Sequence, residues 1–186
     1  MPKVRSKRTE LAKAVDNLAK AYMLLYFNVF LGGTVDLLPD WLGYFFILLT
    51  IKGIEQEEET ASLLRPLAWG LFAWELIDWV LQIFPIISLP EGITLLKSLV
   101  TIFGLYLHFQ LLTNVANVAE KYHFPKVKNL LRLRTVNTIL ITCTLFVGLS
   151  EETVLIGALL FAEIFVYFWI FHILKDVAWH LERGRA

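Results

Sequence analysis

The chain has 186 residues, 57% of them hydrophobic and only 18% charged, with 14 phenylalanines and a mean hydropathy of +0.62. A water-soluble domain carries about a quarter charged residues, so composition excludes the ordinary soluble class and names lipid as the solvent, while the length suits one compact bundle without a second domain. A formal net charge of zero hides an asymmetry along the chain, and the lone Cys143, set in an apolar run, excludes an internal disulfide or a thiolate metal cluster.

The first segment, residues 1–17, is basic and amphipathic. Leu11, Val15, Leu18 and Tyr22 recur at helical spacing, with Ala12, Ala14, Ala19 and Ala21 offering small surfaces beside them. It is read as continuing into a first span; lying on the inner leaflet or docking against a partner subunit are the alternatives. No small-residue cleavage site closes its apolar part, so it is expected to be retained rather than removed as a signal peptide.

A helix that crosses the hydrocarbon needs about 20 mostly apolar residues. Residues 18–36, 38–54, 66–87, 93–117, 132–149 and 153–175 are the candidate spans. The second is the weakest, since its wholly apolar part runs only from Trp41 to Ile51. It reaches spanning length if Pro39 opens the helix and Lys52 snorkels at the far end, and becomes a re-entrant hairpin otherwise. Charge bias decides the count. With six spans and the N-terminus inside, every one of the 17 basic residues except Lys97 falls in or beside a cytoplasmic segment, and the outer turns "LLPD", "SLPEG" and "SEE" contain none. That is the positive-inside bias, which the acidic run Glu55, Glu57, Glu58 and Glu59 does not overturn. The expected fold is all-α: one polytopic membrane bundle over residues 1–186, six transmembrane helices, three short outer hairpin turns, and both termini cytoplasmic.

The first outer turn carries Asp36, Pro39, Asp40, Trp41, Gly43 and Tyr44. Pro39 fits a helix start, which puts Asp40 in the favourable first turn. Gly32, Gly33 and Gly43 permit close helix approach, and Trp41 and Tyr44 suit the headgroup level. The element is a tight hairpin or, alternatively, an external polar mouth that attracts cations.

Polar residues then occur where lipid is expected. Glu75 and Asp78 are three apart in the third span, hence on one helix face, and Gln82 continues the stripe among Trp69, Trp74 and Trp79. An ionised carboxylate at mid-membrane is expensive, so Glu75 must face the bundle interior or hold a proton. The fourth span carries Lys97 and His108, and the sixth a second central acid, Glu163. Depth makes Glu75 and Glu163 neighbours across the bundle with His108 not far below, while Lys97 is nearer Gln82. Such a set either lines a cavity that binds a solute or passes protons, or supplies interhelical hydrogen bonds. His172 and His180 are expected at the interface. No HExxH, histidine pair, GxSxG, P-loop or dinucleotide fingerprint occurs, so neither a metal nor a cofactor is expected. Nothing requires nucleic acid; the basic residues track a membrane edge that attracts anionic headgroups.

The run Leu38, Pro39, Asp40, Trp41, Leu42, Gly43, Tyr44 resembles an element found after the first hydrophobic span in a group of small multi-pass membrane proteins of Gram-positive bacteria. That resemblance implies a bacterial cytoplasmic membrane and no particular activity. Length, span number and the alanines Ala12, Ala14, Ala19 and Ala21 are similar to the substrate-binding membrane subunits of energy-coupling-factor vitamin transporters. Those dock a transmembrane partner through small residues of their first helix. The expected function is binding or transport of a small solute, with Glu75, Asp78 and Glu163 meeting a cationic or hydrogen-bond-donating group or carrying protons, and His108 and Lys97 tuning that charge. A structural or regulatory membrane protein that organises partners is the alternative, and an intramembrane enzyme comes third. Expected partners are membrane lipids, a small solute, and further subunits or a second copy.

Overall fold

The structure, a computed structural model, describes residues 2–26, 30–31, 35–36, 39–83, 93–147 and 153–184. Six α-helices dominate: α1 (Pro2–Tyr26), α2 (Asp40–Ile54), α3 (Arg65–Ile83), α4 (Ile93–Lys121), α5 (Val127–Val147) and α6 (Thr153–Arg183). A 3-10 segment, Glu59–Leu64, joins α2 to α3. Between α1 and α2 a minimal antiparallel ladder pairs Phe30 with Asp36 and Leu31 with Val35, labelled β1 (Phe30–Leu31) and β2 (Val35–Asp36).

The helices form a ring in chain order, closed where α6 returns to α1. Helix α1 packs most extensively, on α2 to one side and α6 to the other, whereas the α3–α4 joint is thin and the 3-10 segment wedges against α2, α3 and α4. The central role of α1 follows from its stripe. Leu11, Val15, Leu18 and Tyr22 are all buried together with Ala12, Ala14, Ala19 and Ala21, because residues three and four apart share one face. The alanines are covered from within the chain rather than held out for a partner. A Cβ on Gly53 would lie 2.5 Å from the Ala14 Cβ, and one on Gly43 would lie 2.5 Å from Leu25 Cγ and 3.3 Å from the Ala21 carbonyl. The Thr50 hydroxyl donates to the Ala14 carbonyl (3.0 Å) and shares its proton with the Phe46 carbonyl of its own helix (2.9 Å). Small residues on both sides therefore let α1 and α2 approach backbone to backbone.

The expectation of six transmembrane helices is corrected. Among the described residues only α4, α5 and α6, over Leu96–Lys121, Val127–Val147 and Val154–Arg183, are long and apolar enough to cross a membrane. Three physical reasons account for the others. Helix α1 runs from Pro2 to Tyr26 and carries most of the N-terminal charges, and Phe30–Leu31 and Val35–Asp36 of the 18–36 candidate lie in the β1–β2 ladder. Helix α2 has 15 residues, about 22 Å at 1.5 Å per residue, against a hydrocarbon thickness near 30 Å. Helix α3 has 19 residues but spends several on Glu75, Asp78, Gln82 and tryptophan. The connection from α1 to α2 is also no short hairpin, since it runs from 27 to 39 and contains the ladder. Residues 37–38, 84–92 and 148–152, which hold most of the three expected outer turns, lie outside the described residues. As expected, α2 opens beside Pro39, which occupies the N-cap with φ −64° and ψ 139° and leaves Asp40 in the first turn.

Ile102, Phe103 and Tyr106 on α4, Ile139 and Phe146 on α5, and Val154, Phe161, Ile164, Phe165, Phe168 and Trp169 on α6 face outward. Large apolar side chains exposed on helices long and apolar enough to cross a membrane mark surface that contacts lipid. The protein is membrane-associated, with this face in contact with lipid.

The opposite chemistry gathers at one end. Lys7 pairs with Glu57 (2.8 Å), Lys121 with Glu58 (3.3 Å) and Lys126 with Asp176 (2.7 Å). Lys175 and Lys20 both reach Asp16, Arg65 pairs with Glu55, and the Arg8 guanidinium donates to the Gly184 carbonyl. The acidic run thus meets the basic residues at the end of the bundle where the first and last helices join. Burial pushes the Asp16 carboxyl up, but hydrogen bonds from Lys175 and Lys20 outweigh it and hold the group below its ordinary value. At Glu57, burial is likewise outweighed by hydrogen bonds from Lys7 and from Tyr122 (3.0 Å), and the carboxyl is again lowered.

Candidate functional site

Away from the ionic end, the ring frames a half-open cavity of about 240 Å³ to which all six helices contribute. Helix α1 supplies Leu25 and Tyr26, α2 Asp40 and Tyr44, α3 Glu75, α5 Ile141, and α6 Glu163 and Tyr167, while α4 lines one wall from Val100 to His108. Glu75, Glu163 and His108, expected to converge from three separate spans, are brought to this one place. Asp40 and Tyr44 join them from the first turn of α2, so the element carrying them faces inward. Tyr44 is buried, with its ring centroid 6.3 Å from that of His108. Trp41 packs between α2 and α3, edge-on to Phe72 and Trp79 at 6.1 Å each. The side chain of Asp36 lies outside the described part of the structure, as do Gly32 and Gly33.

The polar side chains in the cavity differ in how they are held. Glu163 is 8% exposed and accepts a hydrogen bond from the Thr144 hydroxyl of α5 at 2.5 Å. His108 is 6% exposed, its ring lies edge-on to Tyr22 at 5.3 Å, and its Nδ1 has no hydrogen-bond partner. A buried polar atom without a partner carries a penalty of about 1–3 kcal/mol, and the residue that bears it is on the cavity wall. Among the described residues no lysine or arginine lines the cavity. Its charge-bearing groups are carboxyls and one imidazole, a donor set that complements a cation or a hydrogen-bond donor.

Asp78 and Lys97 are placed elsewhere. They pair with each other across the α3–α4 joint (3.4 Å), and Gln82 donates to the second Asp78 oxygen at 2.8 Å. Lys97 thus meets the Asp78–Gln82 stripe and does not line the cavity with Glu75. Trp69 is half exposed, and neither it nor Trp74 nor Trp79 lines the cavity. His172 lies in a groove with Lys126 and Arg132 near the ionic end, and His180 Nε2 is 3.0 Å from the Tyr122 carbonyl. Among the described residues no three histidine, cysteine, aspartate or glutamate side chains converge to hold a metal ion.

Sequence reasoning missed Tyr26 and Tyr167, whose rings stack nearly parallel (16°) on the cavity wall. A signal was present. Tyr167 is four residues after Glu163, and Tyr26 four after the buried Tyr22, so each shares the face of a residue already singled out. Comparison of the chain with protein-family models, with curated proteins and with solved structures gives no match.

Proposed function

We propose that the protein binds a small solute bearing a cationic or hydrogen-bond-donating group in the cavity between its six helices, and that this binding serves its transport. The observation that carries the reading is the convergence of Asp40, Glu75, Glu163 and His108 on a cavity lined, among the described residues, by no lysine or arginine. Glu163 is buried and Asp40 and Glu75 are half-buried, and acids so placed are poor structural glue in a membrane protein, since each is costly to desolvate and two of like sign repel. A scaffold has no use for this arrangement; its interior is better filled with apolar side chains. The basic end is the cytoplasmic end in this reading, of a bacterial cytoplasmic membrane, following the bias of lysine and arginine.

The test is native mass spectrometry of protein extracted gently from its own membrane, with released small molecules identified, alongside binding of butylammonium as a minimal amine probe. A stoichiometric solute is expected, and saturable butylammonium binding that falls about tenfold or more in the Glu75→Gln/Glu163→Gln double variant, since hydrogen bonds to charged groups contribute about 1.5–3 kcal/mol each. If the double variant keeps solute and probe while only the melting temperature drops, the acids are structural and the proposal is wrong.

A further inference from the structure

Across the Tyr26–Tyr167 pair from the cavity lies a second, apolar space. A groove of about 270 Å³ between α1 and α6 is lined by Met23, Tyr26, Ile164, Phe165, Tyr167, Phe168 and Phe171. Tyr26 and Tyr167 belong to both spaces, so the stacked pair is the wall between the acid-lined interior and the groove. The two spaces sit at the same depth, because Ile164 and Phe168 flank Glu163 and Tyr167 on α6 within one turn and a half of helix. Met23, Ile164, Phe165 and Phe168 face outward on the surface that contacts lipid. The groove therefore opens sideways, into hydrocarbon.

We infer that the solute is a single-chain cationic amphiphile, an alkylammonium whose head occupies the Asp40–Glu75–Glu163 cavity and whose chain lies in the α1–α6 groove, entering laterally past Tyr26 and Tyr167. The inference rests on the cation-binding reading above and adds to it the class of cation and its route. Size supports it. Small-molecule sites are usually about 300–1,000 Å³; the polar cavity alone falls below that range, and cavity and groove together fall within it. At roughly 30 Å³ per small group the groove takes about nine methylenes, one chain rather than two. Charge supports it as well. A phospholipid would bring its phosphate among carboxyls, whereas an amine without an anion is complementary. The chain gains little by leaving lipid for the groove, since both are apolar. The acids thus select the head, and the groove supplies continuity for the tail.

The test uses the whole chain in phosphatidylcholine nanodiscs with dodecylamine carrying a photoreactive diazirine near its chain end. Adducts are expected on Met23, Ile164 and Phe168, reduced about tenfold or more in the Glu75→Gln/Glu163→Gln variant and displaced by excess butylammonium. Ile164→Trp, which fills the groove without touching the acids, should lower the adduct yield several-fold and leave butylammonium binding intact. An uncharged dodecanol analogue should not label the groove above the rest of the lipid face. If butylammonium binds through the acids but the adducts are acid-independent, spread over α4–α6, or join two copies of the chain, the amphiphile inference is overturned and the cation reading stands. If butylammonium binding itself ignores the acids, both fall.

Discussion

Glu163 and Asp16 are both carboxylates on long helices, and their neighbours give them opposite tasks. Glu163 has one hydroxyl donor from Thr144 and otherwise faces a cavity without a cation, so it keeps acceptor capacity for a ligand. Asp16 has two lysines, Lys20 and Lys175, and is saturated. The pH dependence of Asp16 follows from its lowered carboxyl. A group whose folded value is depressed contributes stability above its unfolded value, 3.8 for Asp16, and loses it as pH falls through the folded one. Acidification below about pH 4 should therefore destabilise the native chain more steeply than the Asp16→Asn variant, measured by thermal melting in detergent at graded pH. Equal slopes would mean the Lys20–Asp16–Lys175 cluster contributes nothing in solution, as many exposed ion pairs do. Residue chemistry was the most legible level in the sequence. Glu75, Glu163 and His108 stood out because hydrocarbon penalises them; Tyr26 and Tyr167 did not, because an aromatic ring in an apolar helix is unremarkable until its neighbours are known.

At the scale of the element, α1 and α2 depend on the absence of atoms. Gly53 faces Ala14 and Gly43 faces Ala21, with Thr50 bonded between them. Gly53→Ala places a rigid Cβ against a rigid Cβ, and overpacking of this kind destabilises by about 1–3 kcal/mol. Ala14→Gly in the same chain should restore part of the loss, and a double-mutant cycle on the melting transition would read the coupling. Additive effects would show that the two helices slide apart without penalty. Helix α1 also shows where hydropathy misleads. Its basic amphipathic start reads as running on into a first span, with the inner leaflet or a partner as the alternative, yet its Leu11–Val15–Leu18–Tyr22 stripe is buried against the chain's own helices. Hydropathy likewise does not report where a helix ends, which is why α2, with 15 residues, reads as a span.

At the scale of the whole molecule, the basic residues and the acidic run belong to one end although they come from four separate stretches of chain. The bias of lysine and arginine predicts that this end faces the cytoplasm. Single cysteines at Lys13, Glu59, Lys126 and Glu182, in a Cys143→Ser background, should all react with a membrane-impermeant maleimide only after the cytoplasmic face is exposed. Labelling of any one of them from the opposite face would refute that orientation. That these stretches share an end was legible from charge alone; how many helices reach the far side was not, because helix length depends on where the chain stops being helical, and the ladder after Tyr26 left no mark in the hydropathy.

The ring closes where α6 meets α1, with Arg8 on Gly184 and Lys175 on Asp16, and is thinnest between α3 and α4. A ring with that pattern has its natural breakpoint in the middle of the gene rather than at its ends. Two separately translated pieces, residues 1–83 and 84–186, would each keep their internal helix contacts and would lose only the covalent tie at the weakest joint. Co-expressed, they should assemble into a complex that co-purifies and retains acid-dependent butylammonium binding, held together by the α1–α6 interface. Failure to co-purify would show that the α3–α4 connection, and not the closure of α6 on α1, is what keeps the ring whole.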